Sequence, residues 1–600
     1  MSKTKKYRRK VNYTSRDFDS IKRDLLEQAR RYYPESYRDF SDASFGSLMV
    51  DSVSYIGDQL SFYLDYNVNE SFMDTANEYN NIIRHAKQFG YRFEGRNSAS
   101  GVVAIFVLVP ATTSGLGPNK SYIPVLKRGT QVKSSTGASF ILVENIDFSN
   151  SANQVVVART NSTTGLPTHY AIKAYANVIS GKLSSENVVV GAYQPYLNVK
   201  LKARDIAEII SVTDSDGNEY FEVDFLSQDV IYREVVNNNV KADSVPSIIK
   251  PFAAPRRFVI DRKSVSTSLQ FGYGSDSEIE TPSIVEPSNV VLDMYGKSYT
   301  SDLSFDPSKL IRTDKFGISP SNTTLTVRYR IVTGADTNAS AGAISQVGRA
   351  NFEFPSPNAT NRNTRADVVA SVEVTNEEPI VGSVSAPSKE ELKRRSKDFF
   401  ATQNRAVTKA DYEAIVYNMD KKFGTVKRCN VVRDRDSLKR NLNMYVISED
   451  ERGKLTTTNT TIKNNVKTWL NRYRMLNDTV DIIDAYIVNI GINFEIVANE
   501  TKNRFEVLEA ALAALREKFA THNYIGEPFY INDIYSTLNR VEGVVDVVRV
   551  KVEQKKGSDY SSTHYDIQGN TSADGRYINV PSNVILEVKF LQNDIKGSVK

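Results

Sequence analysis

Four histidines, one cysteine and 71 acidic residues are the chain's stock of metal ligands, nucleophiles and general acids. The histidines are His85, His169, His522 and His564. A zinc site needs ligands at short spacing, such as two histidines four apart on a helix or a Cys-x-x-Cys pair. None of the four stands in such a context, so no metal is expected. Asp214 to Glu222, DSDGNEYFE, has the acidic spacing that opens a calcium loop. That loop needs glycine sixth, for its sharp turn, and a bidentate glutamate twelfth. Here glycine comes fourth, and Asp216-Gly217 between two alternating runs reads as a hairpin turn.

The remaining candidates fail on similar grounds. Gly115 to Tyr122, GLGPNKSY, has Asn119 before the lysine, where a phosphate loop needs glycine so that backbone amides can approach the anion. Phe271 to Glu278, FGYGSDSE, contains Gly-Tyr-Gly but no helical pattern follows, so it is not a dinucleotide site. No Gly-x-Ser-x-Gly elbow occurs. Cys429 lies in a strand-like run, VKRCNVV. Its basic neighbours would favour the thiolate, but a buried structural cysteine is the commoner case. Carboxylate pairs identify nothing without geometry. No catalytic residue, cofactor or metal is therefore assigned, and the chain is expected not to be an enzyme.

The elements that would position any site span 600 residues, enough for about four domains at roughly 150 residues each. Hydrophobic residues make up 40%, with 32 tyrosines and 27 phenylalanines, which supplies packed cores. A single cysteine forms no internal disulfide and excludes a disulfide scaffold. No apolar run reaches about 18 residues, so no membrane-spanning helix is expected. The start, MSKTKKYRRK, is basic without an apolar signal core, and reads as a solvated arm or one docking on an acidic partner. The net charge of +5 gives no overall nucleic-acid footprint.

Residues 14 to 93 read as helical. Phe18, Ile21, Leu25 and Ala29 form one stripe, ended by Pro34. A second runs through Phe45, Leu48, Ser52, Tyr55, Gln59 and Phe62, with Met49, Ile56, Leu60 and Tyr63 beside it. A third, Phe72, Ala76, Tyr79, Ile83 and Ala86, is read as the face of one helix over Asn69 to Phe93, closed at Gly90. Stripes this wide need cover from their own chain or another. From Ser98 to about residue 375 short β-rich runs alternate with turn residues, beginning with SGVVAIFVLVP. Helical pattern returns near residue 386. Capping boxes are expected at Ser388 with Glu391 and at Thr408 with Asp411, the second opening a helix closed by Phe423-Gly424. Ile462, Val466, Trp469, Tyr473 and Leu476 give another helix. A strand, a helix through Phe505 to Phe519, a short helix capped by Asn532, and the strand VVDVVRVKVE complete an α+β unit.

Several of these stretches resemble the baseplate wedge proteins of contractile-tailed phages, in the baseplate J-like family. Glu70-Ser71-Phe72-Met73, Thr75-Ala76 and Gly90-Tyr91 follow an aromatic helix, as at the N-terminus of that family. Ile123-Pro124 with Arg128-Gly129-Thr130 is similar to its IP-GT element, with a longer spacer. VISGKLSSENVVVG and VTDSDGNEYFEVDFL resemble the J-like β-domain, and IVTGADTNASAG its Asn-Gly-Ala-Asp turn, with Thr333 in place of Asn. RAVTKADYEAIV, KKFGTV and IGEPFYINDIYSTLNRVEGVVDV resemble the C-terminal region. The matches keep the family's order from about residue 40 to about 550.

The resemblance implies an α+β, multidomain structural protein. Its parts are an N-terminal helical bundle-forming segment (1–97), a β-rich J-like domain (98–240), a second β-rich domain (241–385) and a C-terminal α+β dimerisation and ring domain (386–600). It further implies two copies per wedge, joined with other wedges in an inner ring around the hub that rearranges on tail contraction. Partners implied are the chain itself, an elongated wedge protein, the sheath initiator and other baseplate wedge subunits, without nucleic acid or membrane. The location implied is the virion tail baseplate, after synthesis in the host bacterial cytoplasm. Helical bundling is expected at Leu48, Tyr55, Phe62, Phe72, Tyr79, Ile83 and Ala86, and self-association at Phe529, Ile531, Ile534 and Leu538. Two other classes remain as alternatives. A tail-associated cell-wall-degrading enzyme would need a cleft holding a carboxylate of raised pKa. A host-binding adhesin would use the β-rich middle.

Overall fold

The computed structural model describes the chain except for residues 1–16, 34, 36–43, 93–96, 237–246, 264–265, 276–315, 335–336, 349, 356–359, 435–440 and 521–522. The basic start, Pro34, His522 and the last three residues of FGYGSDSE therefore lie outside the described residues. Two compact units are present: Met1–Gly90 with Pro387–Lys397, and Tyr91–Ala386 with Asp398–Lys600.

The first unit holds three N-terminal helices. α1 spans Phe18–Tyr32 and is capped by Asp17, whose carboxylate accepts from the Ser20 amide at 3.4 Å. α2 spans Phe45–Glu70, 26 residues, capped by Ser44. α3 spans Tyr79–Gln88, with Gly90 past its end at φ +80°. Asn69 to Phe93 is thus not one helix. The chain leaves α2 at Glu70, turns, and re-enters helix at Tyr79. The cause is local. The Glu70 carboxylate accepts from the Asn77 amide at 2.7 Å and the Asn81 side-chain amide at 2.9 Å, and the Thr75 hydroxyl donates to the Asn69 carbonyl at 2.7 Å. Side chains that bond the backbone this way compete with the helical ladder. These donors also hold the Glu70 carboxyl below its usual range, Asn81 contributing most.

The second unit contains four main sheets. In the first, the apolar run Ser100–Pro110 pairs antiparallel with Pro167–Ser180 along its whole length, from Ser100 opposite Ile179 to Pro110 opposite His169. Apolar residues on both faces suit a central strand. Its other neighbour is Glu373–Thr375, far on in sequence, and Ile344–Val347 closes the opposite side through Gln131–Ser134. One core accordingly draws on residues 99–178 and again on 339–380. A helix, Arg362–Ala370, stands in this returning segment.

The second sheet lies between those two halves in sequence. Its order runs Lys182–Val190, Thr323–Ile331, Ile206–Thr213, Glu219–Glu222, Arg257–Arg262, Thr267–Phe271, Asn198–Lys200. Its core, with Phe258, Phe271, Leu325 and Val327, is separate from the first. Lys182 pairs with Ile331, so the chain enters and leaves this module on adjacent strands. The sheet runs across residue 240. The Asp214–Gly217 turn joins two of its strands as the expected hairpin, with the Asp214 carboxylate accepting the Asn218 amide at 2.8 Å and Gly217 at φ +85°. The Gly-Tyr-Gly run has a packing role: a Cβ on Gly272 would stand 2.0 Å from the Gly317 carbonyl oxygen.

Two α+β layers follow. Arg428–Arg433 and Asn441–Glu449 pair antiparallel, and Thr479–Asp484 joins parallel, against the helices Lys409–Tyr417 and Thr460–Leu470. The Thr408–Asp411 capping box is complete, but its helix ends at Tyr417, and Lys421–Phe423 is a separate 3-10 turn. Cys429 is buried in this core. In the last layer Tyr486–Ala498 is central, pairing antiparallel with Val544–Gln554 and parallel with Val584–Glu587 and Ile595–Val599. The helices Arg504–Lys518 and Ile531–Asn539 cover it. The N-cap of the shorter helix is Tyr530 rather than Asn532, without a side-chain cap bond. The whole is α+β and multidomain, as expected.

Candidate interface on the N-terminal helices

α2 carries two unlike surfaces. Ser47 and Ser54 are buried, and Gly57 lies against α1, where an added Cβ would come 3.2 Å from the Ile21 side chain. Small residues on this line let the two helices approach closely. Lys22 of α1 pairs with Asp51 of α2 at 2.7 Å. Both groups are partly exposed, so the pair adds about 0.2–1 kcal/mol at most. Asp51, Asp58 and Asp65 recur every seventh residue, which puts them on this same side.

The rest of the circumference is mostly apolar and exposed, with Ser52, Gln59 and Asn67 set among the apolar side chains. Leu48, Tyr55, Phe62 and Tyr66 make one row, Phe45, Ile56 and Tyr63 the next, and Met49, Leu60, Val53 and Leu64 the last. At 100° per residue these rows cover roughly 200° of the helix. Phe62 is 61% exposed and, among the described residues, stacks along its own helix, on Tyr66 with ring centres 6.2 Å apart. A helix apolar over so wide an arc belongs inside a bundle, and among the described residues α1 covers the opposite, polar side.

The expected bundle residues divide accordingly. Leu48, Tyr55 and Phe62 are exposed on α2, and Phe72 is exposed in the turn after it. Tyr79 is half-buried, its hydroxyl 3.4 Å from the Pro387 carbonyl. Ile83 and Ala86 are buried already and present no free surface. His85 donates from Nε2 to the Glu70 carbonyl at 2.9 Å, a bond that ties α3 to the end of α2. Lys393 of the helix Lys389–Thr402 donates to the Asp74 carbonyl at 3.0 Å, and Lys397 reaches the Asp74 carboxylate.

The expected self-association residues lie elsewhere. Phe529, Ile534 and Leu538 are buried, and Ile531 packs half-buried on the same core. They hold the short helix onto its sheet. Their apolar spacing was the face of a core, not of an interface.

Among the described residues no three His, Cys, Asp or Glu side chains stand close enough to hold a metal, and no helix is long and apolar enough to cross a membrane. A depression in the β-rich region is lined by Tyr196, Asp224, Phe225, Val259, Gln270 and Phe316. Its one carboxylate, Asp224, is paired with Arg92 at 3.2 Å. Glu587 is buried and its carboxyl pushed up by that burial, but it accepts from the Leu455 amide at 3.0 Å and the Asn489 side chain at 2.8 Å.

The chain shows no match among curated proteins. Among solved structures it is similar to a chain of the anti-feeding prophage (AFP) baseplate, solved by cryo-electron microscopy. Identity is 10%, coverage 94% of this chain and 90% of that one, and the TM-score 0.24. It is also similar to a chain of the type VI secretion system TssK-TssF-TssG baseplate subcomplex, at 9% identity, 73% and 96% coverage and a TM-score of 0.24. TM-scores this low bear on neither fold nor function. Residues 17–88 match the family model described as "Bacteriophage baseplate protein, N-terminal domain". The match begins at the N-cap of α1 and ends on the last residue of α3. It supports a baseplate protein.

Proposed function

We propose that the chain is a structural wedge subunit of a contractile-tail baseplate, located in the virion, and that α2 is its main assembly helix. One observation carries this: a 26-residue helix inside the baseplate-matched segment exposes a wide, largely apolar arc that no other described residue covers. A soluble chain does not leave such a surface to water. Leu48, Tyr55 and Phe62, with Phe72 beside them, are the contact residues. An arc of roughly 200° is wider than one helix covers, so at least two further helices belong around it. An elongated wedge protein and a second copy are the proposed sources, and the sheath initiator and other wedge subunits are neighbours. Self-association into an inner ring that rearranges on contraction is part of the same reading. It uses exposed surface of the C-terminal region and not Phe529, Ile534 or Leu538. No catalytic role is proposed. The chain divides into a helical segment to about residue 97, a β-rich middle of two nested modules, and a C-terminal α+β part from about 386. The test is co-expression with the other tail proteins. Leu48→Asp with Phe62→Asp should leave the isolated chain folded and abolish its incorporation into tails; normal incorporation would sink the proposal.

A further inference from the structure

The strand Gln154–Thr160 stands apart from the rest of its sheet. It pairs on one edge only, with Pro167–Ser180, from Gln154 opposite Lys173 to Val157 opposite Tyr170. Among the described residues no strand pairs its other edge. All seven of its residues are exposed, including Val155, Val156 and Val157 in succession. Side chains alternate between faces along a strand, so both faces are bare as well as the edge. The register shifts only after Val157, which leaves the valine stretch as regular ladder. At the hairpin end Leu166 is also exposed, and Leu116 is 84% exposed on a loop held there by the Tyr170 hydroxyl donating to the Gly115 carbonyl at 2.8 Å.

An open ladder edge offers unpaired N–H and C=O groups at strand spacing, and the group that satisfies them is another strand. A helix laid on this arm would cover one face and leave the edge unbonded. An added strand bonds the edge and sets its own side chains beside the valines on both faces. Charge selects the source. Residues 148–185 contain no Asp or Glu, while Arg159, Lys173 and Lys182 fall within them. Lys173 has Glu377 at 2.6 Å, and Arg159 is exposed. A second copy of this arm would bring no acid to Arg159. Seven residues also fall far short of the roughly 20–30 a side that hold a free-standing dimer. A segment tethered in an assembly needs no such area, because tethering supplies the effective concentration.

We infer that Gln154–Thr160 receives an extended, β-branched, acid-bearing segment of a different chain by strand addition. The inference rests on the chain being a baseplate subunit. Two measurements test it. Hydrogen exchange is compared between the isolated chain and the chain in purified tails. Among residues 154–157, the amides that face away from Pro167–Ser180 should exchange freely in the first and at least about tenfold more slowly in the second. Val156→Cys then supplies an exposed thiol, the native Cys429 being buried. Cross-linking in tails should join it to a peptide of another protein with acidic residues among apolar ones. Unchanged exchange in tails that do contain the chain overturns the strand addition and spares the baseplate reading. A cross-link to the same strand of a second copy, or back to this chain, overturns the assigned source. Absence of the chain from tails overturns both readings.

Discussion

The buried Arg330 guanidinium meets the Glu208 carboxylate at 3.2 Å. Its other terminal nitrogen donates to the Ser98 hydroxyl at 2.8 Å and the Ser180 carbonyl at 2.6 Å. Ser98 and Ser180 border the first β-module, whereas Arg330 and Glu208 are on strands of the second. One side chain thus pins the two modules together. Arg330→Met leaves a carboxylate, a hydroxyl and a carbonyl without their donor, and should cost about 3 kcal/mol. Arg330→Lys should recover little of it, since an ammonium lacks the planar fork that reaches all three acceptors. Chemical denaturation monitored on the β-rich middle checks both.

Phe62→Asp and Leu538→Ala should separate surface from core. Phe62 is exposed, so the aspartate should change the isolated chain's stability by no more than about 0.5 kcal/mol while assembly is lost. Leu538 is fully buried under the last sheet, and its truncation should cost about 2–5 kcal/mol. Any assembly defect of that variant should disappear at temperatures where it is folded. Denaturation curves and tail incorporation, read side by side, give the answer.

Glu587 gives a pH signature. Burial raises its carboxyl pKa in the folded state, offset in part by the Leu455 amide and the Asn489 side chain. The folded form therefore holds its proton to higher pH than the unfolded form does. Its contribution to stability falls as pH rises from the ordinary glutamate value through the raised one. The stability of the native chain relative to Glu587→Gln should decline across that window and level off above it. Urea midpoints of the two proteins measured from pH 4 upward show the slope; a relative stability that climbs with pH would contradict it.

Tyr412 is buried, and its hydroxyl donates to the Asp478 carboxylate at 2.8 Å. Burial, then that carboxylate, push the phenol well above its ordinary range, so it remains a donor at any working pH. Tyr412→Phe should cost about 1.5 kcal/mol, typical of a hydrogen bond to a charged group, as read from denaturant midpoints.

The sequence exposed local features best. The Thr408–Asp411 box and the Asp216-Gly217 turn follow from short spacings that few structures satisfy. The stripe through Phe72 misled, because an apolar four-three spacing carries no sign of a carboxylate such as Glu70 bonding the backbone and ending the helix. Phe529, Ile534 and Leu538 misled differently. Periodicity marks a face that is buried but not by what, and here the chain's own sheet covers it. The divided core of residues 99–178 and 339–380 was out of reach, since strand partners as distant in sequence as Ala104 and Thr375 leave no local trace. The open edge at Gln154–Thr160 was equally silent, because an edge is defined by the neighbour it lacks.

The pairing of Lys182 with Ile331 has a consequence for how such a chain can vary. Antiparallel partners stand about 5 Å apart, so everything between these two residues hangs from the parent layer by a gap that a tight hairpin would close. A shorter loop, a larger module or a foreign domain whose termini emerge side by side would meet the same two stubs, losing the Arg330 bonds to Ser98 and Ser180 of the layer below. The position is a natural socket for recombination, where one tail could exchange this part of its surface while keeping the frame that builds it.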